Sequence, residues 1–287
     1  MPYVDLHTHT TASDGSLTPA ELVRAAADAG LAAVAITDHD TIAGVAEALT
    51  AGRELPIEVV PGVEISMAGG PKGSMHLLGL FIDHHNPDLK QSLQRLQAAR
   101  AQRNPQIARR LQELGIPLTM DEVSALAGGG QVGRPHFAQA LIARGVVANR
   151  GEAFGRFLAA GKPAYVDKFR FQPAEAIAMV KAAGGVPILA HPGLLGLGLA
   201  ALENLVDELV SHGLAGIEVY YSEHHNNLAR RLAALAARRD LVISGGTDFH
   251  GDNKKDIHLG VGRGTLRVPE SLLGPIRRLA TDGDQAP

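Results

Sequence analysis

Short β-rich runs alternate with amphipathic helical stretches at both ends of this 287-residue chain, and the alternation stops in between. That rhythm is the pattern of parallel βα units. Tyr3 to Leu6 begins a strand. Thr18-Pro19-Ala20-Glu21 then supplies an N-cap, a proline at the first helical position and a capping-box glutamate, and Gly30 ends the helix. Ala32 to Thr37 is a second strand, followed by a helix over Ala43 to Ala51 that stops at Gly52. Ile57 to Ile65 and Met75 to Ile82 are the third and fourth strands. From about Pro87 to Lys168 only helices are expected: Leu89 to Leu114, kinked or broken at Asn104-Pro105, then a capping box at Thr119 to Glu122, a turn at Gly128 to Gly130, and helices over Pro135 to Arg144 and Glu152 to Ala160. Alternation resumes at Pro173, with strands at Gly185 to Ala190, Gly216 to Tyr220 and Leu241 to Gly245. Helices are expected over Leu199 to Ser211, Asn226 to Arg238 and Pro269 to Ala280.

Seven strands, four before the helical stretch and three after it, point to an α/β fold: a distorted seven-stranded TIM-like barrel with an inserted helical subdomain. The barrel takes residues 1–86 and 169–287, and the helical cap takes 87–168. A doubly wound open sheet is the alternative. The chain has no cysteine, which removes disulfides, thiolate metal ligands and cysteine nucleophiles together. A net charge of −3 excludes a global basic field that recruits nucleic acid, though not a local basic pocket. The start lacks the pattern of a secretory signal, and no apolar run reaches the roughly 18 residues of a membrane span. The expected location is therefore cytoplasmic, with no obligate protein partner evident. The last residues, TDGDQAP, read as a frayed polar tail.

Histidines and carboxylates collect at the ends of these strands. His7 and His9 end the first strand, and residues two apart in an extended chain point to one face, so both imidazoles can reach one ion. Asp14 follows in the next loop. His39 ends the second strand, Glu64 the third, His191 the fifth, and Asp248 and His250 follow the seventh. His76 falls near the start of the fourth strand, where the pattern fits least well. The C-terminal strand ends of such barrels converge on one mouth. Six histidines and three carboxylates, nine N/O ligands, exceed the needs of one or two ions and imply about three divalent metals. Mixed histidine and carboxylate donors suit Mn²⁺ first, with Fe²⁺, Zn²⁺ or Mg²⁺ as alternatives. Asp38 and Asp40 are expected to orient ligands or cap a helix, and His84, His85, His212 and His258 to be ordinary solvated or structural residues.

The successive segments DLHTHT, TDHD, GVEIS, the isolated His76, AHP and GTDFH resemble the motifs of the PHP family, named for polymerase and histidinol phosphatase domains. The resemblance implies a metal-dependent phosphoesterase on a distorted seven-stranded barrel. It assigns His7, His9, Glu64 and Asp248 to one ion, Glu64, His76 and His191 to a second, and Asp14, His39 and His250 to a third. The insert segment Gly133-Arg134-Pro135-His136 resembles a subgroup acting on nucleoside 3′,5′-bisphosphates or, as 5′-3′ exonucleases, on short RNA.

The expected reaction is phosphomonoester hydrolysis at the 3′-phosphate of a small nucleotide, by a hydroxide bridging two metals, with Asp248, His250, Glu64 and His225 as the catalytic groups. Arg134 and His136 are the first choices for substrate phosphate, ahead of Lys72, Lys162, Lys168 and Arg170. Tyr220 or Phe249 is a candidate to stack a base. Short RNA oligonucleotides are the alternative substrate and histidinol phosphate another. An amidohydrolase ranks low because no strand-borne lysine sits where a bridging ligand is needed. A non-catalytic scaffold ranks low because the ligand set is complete.

Overall fold

The structure, a computed structural model, describes residues 2–71 and 73–282. Lys72 and residues 283–287 of the polar tail lie outside the described residues. Eight strands form one sheet: β1 (Tyr3–Asp5), β2 (Ala33–Ile36), β3 (Glu58–Ala68), β4 (Ser74–Leu80), β5 (Val186–Leu189), β6 (Gly216–Tyr221), β7 (Val242–Gly246) and β8 (Val268–Pro269). Their order is β7-β6-β5-β4-β3-β2-β1-β8. The sheet curls until β1 meets β7, where Leu6 N donates to Gly245 O at 3.1 Å and Asp248 N to His7 O at 2.9 Å. The result is a nearly closed barrel, with the two-residue β8 as an additional strand beyond the seven expected.

The pairing departs from uniform parallelism at one place that matters. β4 runs antiparallel to both β3 and β5, in a hairpin where Ser66 faces His76. The start of β4 therefore lies at the same mouth as the ends of β3 and β5, which is why His76 joins the other candidate ligands from the opposite end of its strand.

The α-helices among the described residues are α1 (Pro19–Asp28), α2 (Val45–Gly52), α3 (Pro87–Glu113), α4 (Met120–Leu126), α5 (Arg134–Ala143), α6 (Arg150–Ala153), α7 (Pro173–Ala182), α8 (Leu199–Ser211), α9 (Asn226–Arg238) and α10 (Leu273–Asp282). The capping boxes at Thr18/Glu21 and Thr119/Glu122 form as the sequence implies. α3 is one 27-residue helix that continues through Pro105 rather than breaking there. A proline costs one backbone hydrogen bond. Here Asn104, Ile107 and Leu111 are buried around it and hold the helix together. The pleat divides the core. Ala33 and Ala35 pack with Val4, Leu78 and Ile188 inside the barrel, while Val34 and Ile36 pack outward against α1 and α2. Ile107, Leu111, Val123, Phe137 and Leu141 make a separate cluster within the insert.

Candidate metal centre

Beyond β1 the chain stays extended, held on one side by His9 N donating to Phe249 O at 2.9 Å and on the other by Thr37 N donating to Thr8 O at 3.0 Å. His7 and His9 consequently share a face. His7 Nε2 lies 3.4 Å from Glu64 Oε2 and 3.7 Å from Asp248 Oδ1, and His9 Nε2 lies 3.3 and 3.2 Å from the same oxygens. This close approach requires glycine next door, because a Cβ on Gly246 falls 2.4 Å from the Cβ of His7. The other Glu64 oxygen, Oε1, sits 2.8 Å from His76 Nδ1 and 2.9 Å from His191 Nε2. Asp14 Oδ1 is 3.3 Å from His250 Nε2 and 3.9 Å from both His39 Nε2 and His9 Nδ1, while His39 Nδ1 reaches Glu64 Oε2 at 2.8 Å. All nine side chains singled out in the sequence thus meet in one cluster.

The donors fit divalent cations. His7 Nε2, both ring nitrogens of His9, Asp14 Oδ2, Glu64 Oε2 and His250 Nε2 are buried without a hydrogen-bond partner among the described residues. Each such group costs on the order of 1–3 kcal/mol when left unpaired, so their concentration at one point marks a site built for ions rather than for packing. Asp40, His191 and Asp248 also adopt positive φ angles of 55, 28 and 57°. Non-glycine residues rarely hold that conformation unless the surroundings enforce it.

Protonation follows the same logic. Burial opposes ionisation of Glu64, Asp14 and Asp248, yet the groups that face them hold all three well below the usual carboxylate range: His39 and His76 for Glu64, His250 and His39 for Asp14, Lys254 and His250 for Asp248. Burial pushes His76 down to about 4, and burial with the Lys254 charge pushes His250 down to about 3, leaving both imidazoles neutral. Ionised carboxylates and neutral imidazoles are the forms that bind metal. His9 resists its burial because Asp248 and Glu64 raise it to about 9, so a proton stands there where a cation can replace it.

An outer layer orients these ligands. Glu218, from β6, takes His7 Nδ1 at 2.9 Å on one oxygen and accepts from His191 N at 2.6 Å on the other. Asp38 accepts from Thr10 N, Thr10 Oγ1 and Ser13 Oγ, fixing the loop that carries Asp14. Asp40 accepts from Ser66 N and Oγ and pairs with Arg100 and Lys168, joining the barrel to the insert. Tyr221 Oη donates to Asp248 Oδ2 at 2.8 Å and Lys254 Nζ to the same oxygen at 2.6 Å. Sequence reasoning missed Glu218, Tyr221 and Lys254. A lone acid inside the apolar run GIEVYY was the one available signal. Replacing Glu218 with Gln is expected to weaken metal affinity and turnover by about 10–100-fold, the usual effect of losing an outer carboxylate. A Mn²⁺ titration of the variant checks this, and unchanged affinity refutes the orienting role.

The substrate candidates divide. Arg134 lines a chamber of about 180 Å³ beside Asp14, His39 and His76, together with Arg100, Arg103, Arg150, Lys168, Arg170 and Phe154. His136 does not line it. Its Nδ1 instead accepts from Gly133 N at 2.9 Å and caps α5. Lys162 is exposed on a turn away from the chamber. His225 is also exposed, and its Nδ1 accepts from Leu228 N at 3.1 Å to cap α9, so it is not among the convergent groups. The preceding His224 is the residue turned inward, its ring 5.1 Å from that of Tyr221. Tyr220 and Phe249 pack against the apolar clusters of the barrel.

Six cations around so small a chamber repel one another. Burial and the neighbouring guanidinium charges push the pKa of Arg103 down, and burial pushes Lys168 down to about 7. Guanidinium stays charged under such pressure, so the chamber is primed for an anion. Arg134 is held in that lining, donating to Leu158 O at 3.1 Å and lying over the rings of Phe154 and Tyr165.

Comparison with known proteins gives a consistent picture. Residues 5–116 match the PHP domain family. A 5′-3′ exoribonuclease of Haemophilus influenzae is 39% identical over 246 residues, covering 86% of this chain and 89% of the relative. A 3′,5′-nucleoside bisphosphate phosphatase of Chromobacterium violaceum is 34% identical over 260 residues, covering 90% and 91%. A Bifidobacterium adolescentis crystal structure, named for metal-dependent phosphoesterase activity, superposes with a TM-score of 0.87 at 34% identity, covering 97% of this chain and 96% of the other.

Proposed function

Because the chain belongs to the PHP family, we propose that it is a metal-dependent phosphoesterase that removes the 3′-phosphate from nucleoside 3′,5′-bisphosphates. One observation carries the substrate class: a chamber lined by six cationic side chains opens onto the same Asp14, His39 and His76 that belong to the metal cluster. Two adjoining anion-binding regions suit a molecule with two phosphates, one at the cluster and one on the guanidinium groups.

In this reading His7, His9, Glu64 and Asp248 would hold one ion, Glu64, His76 and His191 a second, and Asp14, His39 and His250 a third, with Mn²⁺ the first choice for such N/O ligands. Divalent cations bound there would supply Lewis-acid charge at the phosphoryl group and would lower the pKa of water from 15.7 to about 7 in favourable sites. The protein's own groups do the positioning. Arg134 presents a guanidinium whose plane is already fixed by Phe154 and Tyr165, which suits two-pronged phosphate binding. Asp40 ties Arg100 and Lys168 to the strand that carries Glu64, so the phosphate clamp and the metal ligands share one rigid frame. Glu218 fixes the ring of His7 and the backbone of His191 together.

Adenosine 3′,5′-bisphosphate with added Mn²⁺ is expected to release inorganic phosphate and AMP. Its kcat/KM should exceed that of adenosine 3′-monophosphate by roughly a hundredfold, the scale of one or two charge-assisted hydrogen bonds at about 1.5–3 kcal/mol each. Equal turnover of the two substrates removes the two-anion reading. A second reading is favoured by the 39% identity to an exoribonuclease: the same site acts on 5′-phosphorylated RNA. In both reactions the bond broken is P–O3′ of the 5′-terminal nucleotide. The water oxygen goes to phosphorus and a proton to O3′, and only the substituent on phosphorus differs.

A further inference from the structure

A second and larger cavity adjoins the chamber. This groove of about 750 Å³ runs between the barrel loops around Thr11 and Thr41 and the insert residues Gln97, Met120 and Val132. It shares Arg100 and Gln131 with the metal-side chamber, so these two residues form a common wall. We infer that the groove binds the nucleotide downstream of the scissile phosphate in a 5′-phosphorylated RNA strand, an inference that rests on the second reading of the same metal site.

Position is the first support. The loops that carry Asp14 and His39 continue directly into the groove at Thr11, Ala12 and Thr41. None of the nine cluster residues lines the groove itself, so a strand leaving the cluster reaches the groove past the common wall of Arg100 and Gln131. Size is the second. At about 180 Å³ the chamber is below the roughly 300–1,000 Å³ usual for ligand pockets, so a second nucleotide cannot share it with the first, whereas the groove lies within that range.

Chemistry is the third. Among the described residues lining the groove, Arg100 is the only cation and Glu47 the only carboxylate; the rest are amides, hydroxyls, small residues and apolar surface. That lining suits a ribose and base better than a second phosphate. The wall itself has unused hydrogen-bonding capacity: the side-chain oxygen and nitrogen of Gln131 and Nε of Arg100 are buried without a partner among the described residues. A carboxamide with both its acceptor and its donor free matches the paired donors and acceptors of a base edge or a ribose hydroxyl. The wall is held in place by a glycine. Gly130 packs so closely that a Cβ falls 2.0 Å from Thr11 O, and Gln131 N donates to Ala12 O at 3.3 Å.

The test compares substrates in variants that fill the groove without touching the chamber. Ala101 and Ser124 are exposed, one on α3 and one on α4, and both border the groove. In Ala101→Trp and Ser124→Trp, kcat/KM for a 5′-phosphorylated ribotrinucleotide is expected to fall at least tenfold, while that for adenosine 3′,5′-bisphosphate stays within twofold. Binding is read in parallel by fluorescence anisotropy of a phosphorothioate-linked trinucleotide labelled at its 3′ end, and should weaken in the same variants. Parallel loss on both substrates, or no loss on the trinucleotide, overturns the inference. A wild-type protein that hydrolyses the bisphosphate but neither cleaves nor binds the trinucleotide overturns it too, while leaving the phosphatase intact. If neither substrate is turned over, the proposed function fails and the anisotropy alone decides the groove: weaker binding in the filled variants supports it, and unchanged binding refutes it.

Discussion

Glu64→Gln is expected to reduce turnover by at least about a thousandfold, beyond the roughly 10²–10³ that follows loss of a single stabilising donor in other active sites. The reason lies in its geometry. Oε2 faces the ring nitrogens of His7, His9 and His39, while Oε1 faces those of His76 and His191. No other carboxylate in the cluster approaches five imidazoles. Gln keeps the shape and removes the charge, and its amide nitrogen turns a donor toward nitrogens that must themselves remain free to ligate. Two ion positions therefore weaken together. The variant should bind fewer Mn²⁺ ions per chain by elemental analysis while its circular dichroism stays that of the parent, because apolar residues on both faces of the sheet, and not Glu64, hold β3 in place. Near-normal turnover in a folded Glu64→Gln protein rules out the bridging assignment, and with it the division of the nine ligands into three ion sites.

The cluster is legible in the sequence because two local rules suffice to find its members. Alternate residues of an extended chain share a face, which pairs His7 with His9, and barrel strands end at a common mouth, which gathers His39, Glu64, His191, Asp248 and His250. His76 fits the parallel βα pattern poorly because β4 runs antiparallel to β3 and β5. The sequence did hold the correction: only nine residues separate Ile65 from Met75, fewer than the dozen or so that a parallel crossover needs. With glycines at 69, 70 and 73, all at positive φ, the segment is a hairpin loop. Glu218 was harder to find, since its role exists only where β6 passes His7 and His191 in space. The chamber was harder still. Arg100 and Arg103 belong to no motif on the polar helix α3, yet Asp40, Asn104 and the Gly133 turn surround them. His225 failed for a related reason: in a pair of neighbouring histidines, the helix start turned His224 inward and left His225 to cap.

Removing divalent cations is expected to abolish turnover and lower the melting temperature by on the order of 10 °C, both reversible on adding Mn²⁺. The magnitude follows from linkage. A ligand that binds only the folded state at a thousand times its Kd contributes about 4 kcal/mol, and each kcal/mol moves the transition of a domain this size by roughly 2–4 °C. The folded state has reason to need the ions. Without them, Glu64, Asp14 and Asp248 stay ionised and buried while His76 and His250 stay neutral, and several ring nitrogens have no partner. The fold should nonetheless survive, because proton-bearing His7 and His9 offset part of that negative charge and the apolar clusters stand apart from the site. Differential scanning calorimetry of chelator-treated and Mn²⁺-reloaded protein, run beside the phosphate-release assay, separates the two effects. A melting temperature indifferent to Mn²⁺, with full activity in the chelator, removes the metal centre as the basis of function.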